Sequence, residues 1–446
     1  MAADADPAPC GHPFPTSSGR IALDPAGRPD RLGRTRTRNR PPSATPRKHP
    51  MTRRHRAAPT PLFLTLSLLL SAACGGDATP NTIKVGAIFD LTGPTADVGT
   101  DYADGMRDYV DWVNTQGGIE GWPIELLYQD YAYQVPRAEQ LYTQFVAEGV
   151  VTFMGWGTGD TEALKLRIAE DEIPFSSASL SHILGDPAEA PYNFLVATSY
   201  TDQFRIALDW IASNHGEGTP VVALMHMASP FGLSPSRYGG VEFAEVLGID
   251  LTLYEMPRGA VDYTAEFSRI RQSGARYVVF QNTSGPAAVA LQNAHSLGLD
   301  ATFICLNWCS NAQLVRIAGE AAEGVMGTMP YAPLGVDVPG TRVIREYLDA
   351  RGGSIDGKTN AYTQAWWTFA VFAGAMRQVL AAGDELTGAN IKAALETFTD
   401  FDMQGVTVPL TFTPDDHLGA KGLRIFRVES GEWVPMTEFI QAPAVP

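Results

Sequence analysis

The sequence has little of what most enzyme sites and membrane anchors require. It has four cysteines in 446 residues, and its eight histidines show no HxxxH spacing and its cysteines no CxxC spacing that would indicate zinc. The stretch GTGDTEA lacks the lysine of a P-loop, and no GxSxG nucleophile motif is present. No apolar run reaches the roughly 20 residues that a membrane-spanning helix needs. These absences argue against catalysis, against a metal or other cofactor, and against a permanent transmembrane anchor.

One apolar run, PLFLTLSLLL, lies inside a predicted export signal. Arginines precede it and small residues follow it, in the order of a secretory leader over residues 51–73. The sequence LLSAAC with the following GGDATPN resembles a bacterial lipobox, although Ser71 stands where that motif usually has leucine. The resemblance implies that Cys74 is lipidated and that residues 74–81 form a flexible tether. Ordinary secretion with cleavage near Ala73 is the alternative.

The first fifty residues are rich in proline, arginine and glycine and have almost no apolar periodicity, which predicts disorder. Because an export signal belongs at an N-terminus, we interpret Met51 as the start and residues 1–50 as an upstream extension of the reading frame. A basic nucleic-acid-binding arm at RLGRTRTRNR is the alternative. Residues 1–73 carry twelve basic and four acidic residues, so the remainder has a net charge of −24. That charge argues against nucleic acid or an anionic membrane surface as partner.

From Thr82 onwards, short β-branched runs alternate with segments of helical period, which indicates βαβ units and parallel sheets. The 373 residues after the leader exceed what one core usually serves, so two lobes are expected. Residues 361–383 are apolar around nearly the whole helix, which favours core packing of Trp366 and Trp367 over stacking on a ligand. Strands are predicted again at residues 405–416 and in the stretch GLRIFRVESGEWVPM.

The motifs together resemble the periplasmic binding proteins of the branched-chain amino-acid ABC transport family. The resemblance runs from about Ile83 to Met436, and its strongest block is IKVGAIFDLTGPTADVGTDYADGMRDYVDWVNTQGGIEGWPIELLYQD. Further matches are EDEIPFSSAS, APYNFLVATSYTDQ and LVRIAGEAAEGVMGTMP. The resemblance implies an α/β fold with two doubly wound parallel-sheet lobes, joined by three hinge crossings near Tyr200, Met329 and Gly419 (the type I solute-binding fold).

These expectations divide the chain into five parts. They are the segment 1–50, the leader 51–73, the tether 74–81, a first lobe of residues 82–199 with 330–418, and a second lobe of residues 200–329 with 419–446.

Ligands of open parallel sheets bind beyond the carboxyl ends of strands, where helix N-termini offer unpaired N–H groups. The loop WGTGDTEA combines an aromatic ring, hydroxyls, glycines and a carboxylate at such a position, so it is the leading candidate for the site. Asp160 is open to two interpretations, as a ligand contact or as a helix cap. The candidates in this loop are Trp156, Thr158, Gly159, Asp160 and Thr161.

By resemblance, the loop SASLSH and three loops of the second lobe complete the site. The candidates they add are Ala178, Ser179, Ser181, Phe231, Thr283, Asn307 and Trp308. One departure stands out, because family members that bind α-amino acids have a glutamate where Asn307 stands and tyrosines at Val98 and Thr283. Two alternatives follow: either Asp160 holds the ligand ammonium, or the ligand lacks one, as an amide, a urea-like compound or a carboxylate would.

Cys305 and Cys309 are the cysteines that remain after the leader and Cys74. Their CLNWC spacing needs a tight turn if they are to pair, so a disulfide and two free buried thiols are both open.

The resemblance implies a monomeric, non-enzymatic binding protein outside the cytoplasm, held at the membrane only by its lipid. It would capture a small polar solute, such as a branched-chain amino acid, an amide or a carboxylate, and deliver it to an ABC permease. A free-standing ligand sensor for a signalling receptor is the alternative.

Overall fold

The structure, a computed structural model, describes residues 81–444. The segment 1–50, the leader 51–73 and the lipidation site Cys74 lie outside the described residues. Within the described part, no helix is long and apolar enough to cross a membrane.

The strands form two separate sheets. In chain order they are β1 (Ile83–Phe89), β2 (Ile124–Asp130), β3 (Thr152–Gly155), β4 (Phe175–Ser177), β5 (Val221–Met227), β6 (Asp250–Met256), β7 (Tyr277–Gln281), β8 (Thr302–Cys305), β9 (Met326–Met329), β10 (Gly422–Glu429), β11 (Glu432–Pro435) and β12 (Ile440–Gln441).

Twelve helices among the described residues connect these strands. They are α1 (Ala96–Thr115), α2 (Val135–Ala147), α3 (Thr158–Glu170), α4 (Tyr200–Asn214), α5 (Pro230–Leu233), α6 (Gly240–Val246), α7 (Thr264–Ser273), α8 (Ser284–Ser296), α9 (Ala312–Ala318), α10 (Pro339–Ala350), α11 (Asn360–Ala382) and α12 (Gly388–Leu395).

Both sheets have the doubly wound strand order. The first sheet is all parallel in the order β2-β1-β3-β4, with Ile83 opposite Ile124 and Val85 opposite Thr152. The second sheet runs β11-β10-β9-β8-β7-β5-β6 and is parallel from β9 to β6, while β10 and β11 are added antiparallel and β12 pairs with β10. Strand β1 is buried along nearly its whole length, as expected of a parallel strand covered on both faces.

Each sheet has its own apolar core, and we use these cores to define two lobes. The core of the first lobe is built on β1, β3 and β4 with α1, α2, α10, α11 and α12. Two further apolar clusters cover the faces of the second sheet and define the second lobe. Trp366 is 1 % exposed and Trp367 is 8 % exposed in the core of the first lobe, which agrees with the packing role expected of both.

The chain passes between the lobes three times. The first passage, before α4, lies beside the third, before β10. Leu195 N donates to His417 O at 3.0 Å, and Gly419 N donates to Leu195 O at 2.8 Å. The hydroxyl of Thr198 donates to Gly422 O at 2.6 Å. Two of the three connections are therefore joined as a short parallel ribbon.

The strand prediction for one stretch is wrong, whereas GLRIFRVESGEWVPM forms β10 and β11 as predicted. Residues 405–416 form only isolated bridges, among them Phe401 with Leu410 and Thr413 with Asp416. Pro409 has no N–H for a sheet ladder, and Phe412 N donates to Phe398 O, outside either sheet. The β-branched residues of this stretch pack as a loop, with Val406 and Phe412 buried in the core of the first lobe.

Candidate functional site

A small cavity lies between the two lobes. No lining side chain is charged, and most of the lining is aromatic or aliphatic. The lining residues are Thr95, Val98, Tyr133, Trp156, Gly157, Thr158, Tyr200, Phe231, Thr283 and Trp308. Five of the sequence candidates are thus brought together: Trp156, Thr158, Phe231, Thr283 and Trp308.

The topology of the sheets explains why these residues meet. In each sheet the strand order reverses direction, between β1 and β3 in the first and between β5 and β7 in the second. The segments that directly follow those strands carry Thr95, Trp156, Phe231 and Thr283. Crevices at such switch points are where ligands of doubly wound sheets bind. The cavity therefore lies where the two switch points face each other.

Trp156 is oriented by a chain of hydrogen bonds from the end of β1. Its indole Nε1 donates to Thr95 Oγ1 at 2.8 Å, and that hydroxyl donates to Asp90 Oδ2 at 2.6 Å. Asp90 is fully buried and also accepts from the N–H of Thr95 at 2.8 Å and of Gly93 at 2.6 Å. The turn from Asp90 to Thr95 thus fixes one aromatic wall of the cavity.

Trp308 forms the facing wall from the second lobe. Its Nε1 donates to the hydroxyl of Tyr200 at 2.7 Å, and its ring centre lies 5.2 Å from that of Trp156. Phe231 packs edge-on against Tyr200 at 5.4 Å. Phe231 and Trp308 belong to the same apolar cluster as the core of the first lobe, so the lobes are closed on each other.

The N-terminus of α3 supplies the polar end of the cavity. Helix first-turn N–H groups have no partner within the helix, and within residues 81–444 no acceptor is found for those of Thr158 and Gly159. The hydroxyl of Thr158 is 2.6 Å from that of Ser179, and one of the two donates to the other. This end can bind a carboxylate or carbonyl oxygen.

Asp160 acts as a helix cap and does not line the cavity. Its carboxylate accepts from Tyr131 Oη at 2.9 Å and from the N–H of Gly157 at 3.2 Å. Burial raises the pKa of Asp160 to about 7. Of the two interpretations open from the sequence, the geometry supports the cap and provides no route by which Asp160 would hold a ligand ammonium in this cavity.

The remaining candidates of the first lobe surround the cavity without lining it. Gly159 faces Pro230 of the second lobe, since a Cβ placed on it would lie 3.4 Å from Pro230 Cγ. The hydroxyl of Thr161 donates to Gly157 O, Ala178 O accepts from Gln364 Nε2, and Ser181 Oγ donates to Glu162 Oε1.

Asn307 lies beside the cavity in a small separate space that it shares with Trp308 and Gln364. Its backbone N–H donates to Gln203 Oε1 at 3.0 Å, and its Nδ2 is 3.5 Å from Gln364 Oε1. Its Oδ1 is buried with no hydrogen-bond partner in the described part of the chain. A buried acceptor without a donor is unfavourable and would be satisfied by an N–H from a ligand or a water.

Sequence reasoning missed half of the lining. Thr95 and Tyr133 follow β1 and β2, so the rule that directs attention to strand ends would have found them. Val98 stands where amino-acid-binding relatives have a tyrosine, and this difference did not identify it as a lining residue. Tyr200 could not be found this way, because it opens α4 in a lobe connection and reaches the cavity through lobe closure.

The two cysteines are free and fully buried in the second lobe. The disulfide left open by the sequence is not formed. Cys305 ends β8, while Cys309 Sγ is directed to the carbonyl oxygens of Leu306 at 3.6 Å and Phe280 at 3.8 Å. Burial raises the pKa of the Cys305 thiol, which keeps it protonated.

Comparisons with known proteins place this arrangement in context. A family profile described as periplasmic binding protein matches residues 82–432. The chain is 26% identical over 260 residues to a leucine-, isoleucine-, valine-, threonine- and alanine-binding protein of Pseudomonas aeruginosa, which covers 56% of this chain and 67% of that protein.

Solved structures extend the likeness over most of the chain. A branched-chain amino-acid ABC transporter protein from Thermus thermophilus with bound valine aligns with a TM-score of 0.77 and 29% identity, covering 81% of this chain and 97% of that one. A substrate-binding protein of an ABC transporter from Aeropyrum pernix aligns with a TM-score of 0.73 and 30% identity, covering 82% and 97%.

Proposed function

We propose that this protein delivers a small solute without a charged amine to an ABC importer. The chain belongs to the periplasmic binding protein family. Members of this family are exported, non-enzymatic carriers of small solutes that work with ABC permeases. The observation that carries the proposal is the cavity between the lobes, which has apolar walls, one polar end and no charged side chain.

The electrostatics of the cavity argue against an α-amino acid. An ammonium buried without a compensating charge loses several kcal/mol of effective solvation. Asp160 is occupied as a cap, and Asn307 offers a neutral oxygen. A carboxylate or carbonyl, in contrast, finds the first-turn N–H groups of α3 and the neighbouring hydroxyl of Thr158.

The shape of the cavity favours a compact apolar body. Trp156 and Trp308 line the cavity from the two lobes, and Val98 and Phe231 complete its apolar lining. The solute class that suits this lining is a short branched or flat carboxylate or amide, its oxygen at α3 and its apolar part against the indole rings.

A matched set of ligands tests this proposal. Isovalerate, isovaleramide and L-valine share the branched apolar part and differ in charge and in the ammonium group. Thermal-shift measurements are expected to show stabilisation by isovalerate or isovaleramide, since a ligand at 100 times its Kd stabilises the native state by about 2.7 kcal/mol. Stronger stabilisation by L-valine would overturn the amine-free assignment and leave the binding function intact. No shift with any of the three, in protein shown by native mass spectrometry to be ligand-free, would reject the small-solute proposal.

We extend the proposal to the N-terminal region and to membrane attachment. The lipobox-like sequence supports cleavage before Cys74 and lipidation of that residue. The lipid would hold the binding protein, which we propose to be a monomer, beside its permease. Intact mass spectrometry of the membrane-extracted protein is expected to show an acylated Cys74 as first residue. An unmodified N-terminal residue would refute the anchor.

A further inference from the structure

The second lobe contributes a buried hydroxyl to the cavity lining that has no partner. Thr283 lines the cavity and is 2 % exposed, and its Oγ1 has no hydrogen-bond partner among residues 81–444. Its backbone N–H is already used, because it donates to Asn282 Oδ1 at 2.9 Å. A buried hydroxyl without a partner is unfavourable, so Thr283 Oγ1 is a candidate contact for a polar group of the solute.

The carboxylate of Asp97 lies beside this hydroxyl. Asp97 precedes the lining residue Val98, and its Oδ2 accepts a hydrogen bond from the N–H of Gly285 at 2.8 Å. Its Oδ1 is buried with no hydrogen-bond partner in the described part of the chain. Burial raises the pKa of Asp97, whereas the Gly285 N–H and the nearby Thr283 hydroxyl oppose that rise by stabilising the carboxylate. The hydroxyl is thus close enough for the Asp97 charge to orient it, although the two do not form a regular hydrogen bond.

The two lobes therefore offer opposite hydrogen-bonding groups to a solute. In the first lobe, the N–H groups of Thr158 and Gly159 are donors that have no acceptor within residues 81–444. In the second lobe, the Asp97 carboxylate attracts the hydroxyl proton of Thr283, which leaves the lone pairs of Oγ1 to accept from the solute. Asn307 Oδ1, beside the cavity, is a further buried acceptor without a donor in the described chain. A solute that has an acceptor for the first lobe and an N–H for the second matches both.

We propose that Thr283, oriented by Asp97, makes the site selective for a neutral carboxamide over the carboxylate of the same shape. The amide oxygen accepts from the N–H groups of α3, and the amide nitrogen donates to Thr283 Oγ1. A carboxylate has no hydrogen to donate there, so its second oxygen faces the lone pairs of Oγ1 with the Asp97 charge beside them. This inference rests on the proposed function, because it names the solute class that the same cavity takes.

Isovaleramide and isovalerate are a matched pair for the test, because they share the apolar part and differ only in the amide or carboxylate group. In calorimetry on the unmodified protein, the Kd for isovaleramide is expected to be about tenfold or more below the Kd for isovalerate, since a site built to accept an N–H penalises an analogue that lacks one. An equal or lower Kd for isovalerate would overturn this inference and leave the binding of an amine-free solute intact. Binding of neither compound would reject this inference together with the proposed solute class.

Substitutions then assign the preference to the two residues. Thr283→Val removes the hydroxyl with little change of shape, and it should raise the Kd for isovaleramide about tenfold with little effect on isovalerate. Thr283→Ser keeps a hydroxyl and should keep the preference. Asp97→Asn removes the charge and should act mainly on the other compound, by lowering the Kd for isovalerate. Equal loss of affinity for both compounds in Thr283→Val and in Asp97→Asn would overturn the assignment, because it would show a structural effect alone.

Helix α1 offers a matched control one turn further along. Asp101 accepts from the hydroxyl of Thr359 at 2.6 Å, and Thr359 caps α11 in the first lobe, so neither residue lines the cavity. Asp101→Asn is expected to lower the Tm and to leave the ratio of the two Kd values unchanged. A ratio that changes as much in Asp101→Asn as in Asp97→Asn would overturn the role of Asp97, because it would show a general effect of charge on α1.

Discussion

The buried carboxylate of Asp160 at the start of α3 should make the free energy of unfolding depend on pH. Burial holds the pKa of Asp160 at about 7, whereas an unfolded chain titrates near the ordinary value of 3.8. Between these values the folded state binds more protons than the unfolded state, so the free energy of unfolding falls as pH rises. The contribution is fully present below pH of about 4 and is lost as pH rises through about 7.

The magnitude follows from the size of the shift. One pKa unit corresponds to about 1.4 kcal/mol, so about three units correspond to at most about 4 kcal/mol. Asp160→Asn copies the shape of the protonated acid and cannot ionise. We therefore expect the variant to be more stable than the unmodified protein by only about 1 kcal/mol at pH 4.5, and by up to about 4 kcal/mol at pH 8.

Urea unfolding followed by tryptophan fluorescence at pH 4.5, 6 and 8 measures this difference. Glu170→Gln, which neutralises an exposed carboxylate on the same helix, is the control and should not reproduce the gain at pH 8. An Asp160→Asn protein that is less stable than the unmodified one at pH 8 would refute the reasoning, because it would show that the ionised carboxylate is favourable in the fold. Solute affinity should be unchanged by this substitution, since Asp160 does not line the cavity.

Three further predictions concern the cleft and its surroundings. Trp156→Phe removes the indole hydrogen bond to Thr95 and should weaken isovalerate binding about tenfold by calorimetry. Trp367→Phe, deep in the first lobe, should lower the Tm and leave the affinity unchanged; equal affinities in both variants would place the site elsewhere. Asn307→Glu supplies the missing negative charge and should shift the binding preference from isovalerate towards L-valine. An unchanged ratio of the Kd for isovalerate to the Kd for L-valine would contradict this prediction. Cys305 and Cys309 should both react with iodoacetamide in denaturant without reductant, and a peptide mass lower by two hydrogens would instead show a disulfide.

The alternation of strands and helices could be predicted closely, because parallel strands covered on both faces have near-continuous apolar sequences. Strand β2 coincides with the predicted IELLYQD, and α11 begins one residue before its predicted start. Residues 405–416 were the exception, since β-branched content alone does not distinguish a strand from a buried loop and Pro409 prevents regular pairing. The antiparallel addition of β10 to β9 also has no local signature.

The candidate site was predictable only where it depends on one lobe at a time. Trp156 follows from the rule that strand ends carry ligand contacts. The roles of Asp160 and Asn307 depend on which neighbours reach them, and those neighbours, Tyr131 and Gln364, come from distant parts of the sequence. The spacing of residues in the sequence cannot show that a carboxylate already accepts hydrogen bonds from protein groups.

The paired hinge connections have a mechanical consequence. Twisting one lobe against the other about the long axis would shear the backbone bonds between Leu195 and the His417–Gly419 stretch, whereas bending across the ribbon leaves them intact. The ribbon therefore bends more easily than it twists. A hinge restricted to this bending direction would bring the two faces of the cleft back into the same register on closure.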